Sequence, residues 1–148
     1  RVDYVAGACL LIPRDALDQV GLLDERFFLY FEETDWCRRA WNLDRPIVLV
    51  GDVEVVHLEG RAAELVSRFS LAQFQHSYRQ YLAKNAGPGA VLHARFAQVW
   101  EKGLQCLRHA VMAWSPRHRA LARRFAFETR LQLRRDIAPA PPEPPHDE

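Results

Sequence analysis

The apolar pattern of this 148-residue chain changes its period near Leu65, and few folds accommodate both patterns. Before Leu65 the apolar residues come as short continuous runs: "YVAGACLLI" over 4–12, "PIVLV" over 46–50 and "VEVVHLEG" over 53–60. Bounded by Pro13 and by a Gly51–Asp52 turn, runs of this size read as buried strands. Two short helices stand between them: "RDALDQV", closed by Gly21, and "TDWCRRAWNL" over roughly 34–43. Thr34 or Glu33 is placed to cap the second, where Asp35 and Arg39 sit one turn apart in the favourable order. Continuous rather than alternating apolar runs argue for a sheet covered by helices, so the expected class is α/β.

After Leu65 the pattern is helical. Phe69, Phe74, Tyr78, Tyr81 and Leu82 mark a first helix, stopped at "NAGPG". Pro88 opens a second, with Leu92, Phe96, Val99, Trp100, Leu104, Leu107 and Val111 along one broad stripe. Pro116 opens a third, in which Leu121, Phe125 and Leu131 lie among basic residues; seven arginines fall within 117–135. "APAPPEPPHDE" reads as a disordered Pro-rich tail.

Charge divides at nearly the same place. Residues 1–60 hold six Arg against twelve acids, net −6, whereas 61–135 hold fourteen Lys/Arg against three Glu, net +11. No run of eighteen apolar residues suggests a transmembrane helix. Cys9, Cys37 and Cys106 form no C-x-x-C pair, so reduced thiols in a cytoplasmic protein are expected, with Cys9 and Cys37 as small core residues. His76, His93, His109 and His118 read as helix-surface residues. The chain opens without an initiator Met on a strand-like pattern, which suggests a piece of a longer protein.

One stretch departs from ordinary patterning. "DERFFLYFEETDWCRRAW", residues 24–41, packs five carboxylates and six aromatics into eighteen positions. Acids are costly to bury and aromatics costly to expose. Helix N-terminal acids complementing the dipole over a core account for this plainly. A cleft with carboxylates beside an apolar or sugar-stacking wall accounts for it as well.

Taken in order, "GACLLIPRDAL", "VGLLDERFFLYFEETDWCRRA" and "VEVVHLEG" resemble the second half of the catalytic domain of bacterial family 2 glycosyltransferases, the rhamnosyltransferase-like group. The resemblance implies a partial GT-A sheet over residues 1–62, a basic helical extension over 63–137 and a tail over 138–148. It implies attack by a sugar hydroxyl on the anomeric carbon of a nucleotide-sugar, with inversion, toward a cell-surface glycan or lipid-linked acceptor. A hydroxyl is a poor nucleophile and needs a carboxylate to take its proton. The family places that base second in an acidic pair before a helix, here Glu33 of Glu32–Glu33, where Asp is usual. Glu32 and Asp35 would hold the acceptor or keep Glu33 poised, Trp36 would stack on a sugar face or serve the core, and Gly7 and Ala8 would admit the substrates closely. His57 matches a histidine that helps bind a divalent metal, Mn²⁺ or Mg²⁺.

Two departures accompany the match. Ala62 stands where the family shows a hydroxyl after its histidine and glycine, here His57 and Gly60. No D-x-D motif occurs, and the resemblance assigns it, with the main metal ligands, to a first half outside this sequence. The stretch alone is therefore expected to be inactive. The basic residues 117–135, with interspersed Leu and Phe, suit peripheral contact with the inner face of the plasma membrane. A competing reading is a non-catalytic basic helical module binding anionic membrane or nucleic acid, although no nucleic-acid reader motif supports the latter.

Overall fold

The computed structural model describes residues 1–57 and 67–134. Four helices carry it: α1 (Arg14–Val20), α2 (Glu32–Trp41), α3 (Ser67–Val111) and α4 (Pro116–Leu133). No strand or sheet occurs among the described residues, so the α/β expectation is overturned and the described chain is helical. The apolar runs at 4–12 and 46–57 do not pair with each other, and turns interrupt them at 7–8 and 51–52. One isolated antiparallel bridge, Val2 with Ile47, joins the segments that contain them. A strand needs a ladder for its backbone and two covered faces for its side chains. Here Leu11 is 91% and Val56 87% exposed, and Val48, Leu49 and Val50 face solvent too. The expectations on Gly60, Ala62 and the tail lie outside the described residues.

The first part has a small core. Ala16 of α1 packs with Trp36, Cys37 and Ala40 of α2 and with Ile47, flanked by Val2, Val5, Ile12 and Val20. Gly21 ends α1 at φ 86°, a backbone region costly for other residues, and its carbonyl accepts the Trp36 indole N–H at 2.8 Å. Arg39 spans the gap between the helices, donating to the carbonyls of Val20 (2.6 Å) and Leu22 (2.7 Å). Cys37 is buried as expected, and burial raises its thiol pKa; Cys9 is exposed, because its segment has no covering layer.

At "NAGPG" two helical segments of α3 meet across a kink, as the sequence leads one to expect. Gly87 takes φ 81°, and Pro88, which lacks an N–H, opens the segment beyond it. After a turn at 112–115, α4 returns along α3. Two α3 arginines close the far end of α4. Arg79 donates to the carbonyls of Leu131, Gln132 and Arg134, and Arg95 adds two bonds to Gln132 O. Cations at a helix C-terminus satisfy orphan carbonyls and complement the dipole. Burial, and then Arg95 nearby, pushes the Arg79 pKa down to about 10, so it stays charged. His109 is buried against α4 rather than on the surface, its ring stacked on Phe125 at 5.5 Å. No helix among the described residues is long and apolar enough to cross a membrane.

The two parts are tied through Lys84 of α3. Its Nζ lies 2.7 Å from Asp24 Oδ2 and 2.6 Å from Asp35 Oδ1, the latter a charge contact rather than an aligned hydrogen bond. Replacing Lys84 by Met should destabilise the protein by about 2–4 kcal/mol, because it removes one of the two cations that neutralise the buried Asp35. Urea unfolding at pH 7 checks this. Arg26 first, and Lys84 second, hold the Asp24 carboxyl well below the usual carboxylate range. Its stabilising contribution is present above its unfolded value of 3.8 and is lost as pH falls below it. The Asp24→Asn variant should therefore be less stable than wild type at pH 7 and converge on it in acid.

Candidate functional site

The acid- and aromatic-rich stretch becomes a loop clamped at the start of α2. Tyr30 (φ 67°) and Phe31 (φ 71°) are both left-handed, a conformation costing about 1–3 kcal/mol for each non-glycine residue. α3 supplies what holds them. The Phe31 ring meets those of Phe74, Tyr78 and Tyr81 at 5.3–5.6 Å, and Tyr30 meets Phe74 edge-on at 5.5 Å. Ser77, fully buried, donates to the Leu29 carbonyl at 2.7 Å. Phe31 thereby becomes the residue before the helix, which starts at Glu32, earlier than expected, with no side chain capping it. Neither Thr34 nor Glu33 caps α2.

This start places Glu32 and Glu33 in the first turn, where the helix dipole favours anions. Each has its Oε2 atom buried without a hydrogen-bond partner. Burial raises the Glu32 pKa, and the neighbouring Glu33 charge adds to the rise. Gly7 lies against the pair: a Cβ there would stand 3.7 Å from Glu32 Oε1 and 3.7 Å from Glu33 Cγ. Three of the expected site residues, Gly7, Glu32 and Glu33, thus meet, with Ala8 exposed beside them. Two carboxylates with unfilled acceptor capacity, one of them favouring its proton, can accept a proton or a hydroxyl donor.

Asp35 and Trp36 lie elsewhere. Asp35 is fully buried, with Oδ2 accepting from Arg39 Nε at 2.9 Å and Oδ1 against Lys84. Trp36 is 3% exposed, in the core, and its indole N–H is taken by Gly21. Neither offers a face to a sugar in this arrangement; both position α2. His57 is exposed on the extended segment, and no three His, Cys, Asp or Glu side chains gather as a metal site among the described residues. These residues alone do not fit a divalent cation.

The parts that sequence reasoning missed come from α3. Lys84, Ser77 and the three ring partners of Phe31 lie more than forty positions along the chain from the loop they hold. The aromatic spacing of Phe74, Tyr78 and Tyr81, at i, i+4 and i+7, was the signal, and it reads equally as ordinary core.

The chain is 33% identical over 81 residues to a low-salt glycan biosynthesis hexosyltransferase of Haloferax volcanii, covering 55% of this chain and 24% of that protein. It is 41% identical over 56 residues to an N-acetylglucosaminyl-diphospho-decaprenol L-rhamnosyltransferase of Mycobacterium tuberculosis, covering 38% and 18%. A dTDP-rhamnosyl transferase of Shigella flexneri is 24% identical over 76 residues, covering 51% and 26%. These relatives are glycosyltransferases. The chain spans about a quarter or less of the length of each. No protein-family profile matches the chain, and no solved structure matches it.

The raised Glu32 pKa has a measurable consequence. A folded-state value above the ordinary 4.5 means that ionised Glu32 weakens the fold once pH rises through that raised value. Glu32→Gln should therefore leave stability unchanged near pH 4 and increase it at pH 8, read by denaturant midpoints at the two pH values.

Proposed function

We propose that this protein is an inverting glycosyltransferase of the family 2, rhamnosyltransferase-like kind, with Glu33 as its general base. The observation that carries the reading is the Glu32–Glu33 pair. Its two Oε2 atoms are buried and unpartnered, and its side chains lie against Gly7 just after a strained aromatic loop, within a chain similar to named glycosyltransferases.

In the proposed reaction an acceptor hydroxyl oxygen attacks the anomeric carbon of a nucleotide-sugar. The new C–O bond forms as the bond to the diphosphate oxygen breaks. That electron pair leaves with the nucleoside diphosphate, and the hydroxyl proton passes to Glu33. Glu33 carries one methylene more than the usual Asp, which extends its reach from the helix. Glu32, whose pKa burial raises, lies beside Glu33 and would hold the acceptor hydroxyl or keep Glu33 poised. The donor is proposed to be a nucleotide-linked hexose or rhamnose, in line with the names of the relatives, and the acceptor a glycan or lipid-linked sugar at the inner face of the plasma membrane. A divalent cation enters this proposal only with ligands beyond His57.

Because this stretch alone is expected to be inactive, the test uses the full-length protein that supplies the D-x-D half: nucleoside-diphosphate release from a panel of nucleotide-sugars including dTDP-rhamnose, with Mn²⁺ or Mg²⁺ and candidate acceptors present. Glu33→Gln should lower the turnover rate by about 10²–10⁴, with circular dichroism unchanged. Full activity in Glu33→Gln together with loss in Glu32→Gln would move the base one residue back. No release by a folded wild-type protein on any donor would leave the non-catalytic interaction module as the better reading.

A further inference from the structure

The segment of α3 beyond Gly87 is packed with its apolar side outward. Contacts with α4 come through Arg95, Lys102, Cys106 and His109. Arg95 bonds Gln132 O, and Lys102 lies 3.7 Å from Glu128 and over the Phe125 ring; the Cys106 thiol meets Ala122 O, and His109 stacks on Phe125. At 100° per residue these four positions share one face. Leu92, Phe96, Trp100, Leu104, Leu107 and Val111 fall on a different face, and that face is open to solvent. Their exposures are 68%, 71%, 65%, 49%, 62% and 70%, and Trp114 just beyond is 74% exposed. Of the stripe that the sequence shows, Val99 is half-buried toward α4, whereas the other members lie on the open side and Arg95, Lys102, Cys106 and His109 make the α4 contacts. An apolar face of this extent on a soluble surface marks an interaction site rather than scattered exposure.

What surrounds the stripe selects its occupant. Arg108 follows Leu104 by one turn and precedes Val111 by three residues, so it borders the stripe. Beyond Trp114 come Arg117 and Arg119, and Arg119 donates to the carbonyls of Ala113 (2.9 Å) and Trp114 (3.2 Å). All three arginines are exposed, and none pairs with a carboxylate among the described residues. From Pro88 to Arg134 the chain carries nine Lys/Arg against two Glu. A second copy of the chain would set two such basic faces against each other. An anionic surface accepts them, and an anionic bilayer also accepts a continuous row of Leu, Phe and Val at its headgroup boundary. Two tryptophans suit its boundary, where an apolar ring and a polar N–H are both accommodated.

We propose that the exposed face of α3 from Leu92 to Trp114 lies in the headgroup region of an anionic bilayer, with Arg108, Arg117 and Arg119 on the lipid phosphates. The membrane contact expected of residues 117–135 thereby moves chiefly to α3, because Phe125 stacks on His109 and Leu131 is buried, whereas α4 contributes cations. This inference does not depend on the role of Glu33.

The test uses the full 148-residue chain and vesicles of phosphatidylcholine with and without phosphatidylglycerol. Co-sedimentation should show binding to the phosphatidylglycerol vesicles, weakened by salt, with a blue shift of tryptophan emission. The double variant Trp100→Glu/Leu107→Glu changes only exposed positions and should bind at least about tenfold more weakly with unchanged circular dichroism. Arg108→Gln/Arg117→Gln/Arg119→Gln should lose roughly fivefold per arginine on anionic vesicles. Three results would overturn the proposal. One is absence of binding to phosphatidylglycerol vesicles, and another is binding indifferent to both variants. The third is a concentration-dependent dimer that Trp100→Glu/Leu107→Glu dissolves without any vesicle binding, which would assign the stripe to a second copy.

Discussion

The buried carboxylate of Asp35 organises the described structure. An isolated ionised acid cannot remain in such a place, since losing its hydration costs several kcal/mol. Two cations from different parts of the chain answer it. Arg39 comes from the next turn of α2, and its remaining N–H groups go to carbonyls at the end of α1. Lys84 comes from α3 and spends its charge on Asp24 as well. One acid thus joins α1, α2, the 22–31 loop and the long helix. The small apolar cluster around Trp36 and Cys37 closes over the same point.

The strained loop depends on that junction. Consecutive left-handed aromatics would relax if nothing opposed it, and the opposing contacts are the rings of Phe74, Tyr78 and Tyr81, with Ser77 on the Leu29 carbonyl. α3 can supply them because Lys84, on the same segment before Gly87, is anchored to the acids. The gain is positional. Starting α2 at Glu32 puts two carboxylates at the positive end of the helix dipole and beside Gly7, where no side chain intervenes. Strain near unfilled acceptors is a common arrangement at sites where chemistry or tight binding occurs.

Several pieces were legible in advance because they rest on local physics. Gly21 and Pro116 bound helices by their own backbone preferences, Gly87–Pro88 interrupts one, and Asp35–Arg39 pair because they are a turn apart. The proximity of Gly7 to Glu32–Glu33 came only through family resemblance, not from spacing. Trp36, assigned to a sugar face by that resemblance, sits in the core, since an indole between Gly21 and α1 is better covered there. The strands failed for a non-local reason: an apolar run becomes a strand only when another run lies alongside, and here the runs at 4–12 and 46–57 do not pair.

The sequence by itself determined where α1 ends, where α3 bends and where α4 begins, where charge changes sign, and which residues are apolar, because these follow from single residues and their near neighbours. Only the tertiary structure decided which side of each element is covered. It sent Asp35 inward and the stripe from Leu92 to Trp114 outward, and it brought Lys84 to the acids. Burial depends on what packs from distant parts of the chain: Arg95, Lys102 and His109 meet α4, which leaves the apolar face of α3 open among the described residues.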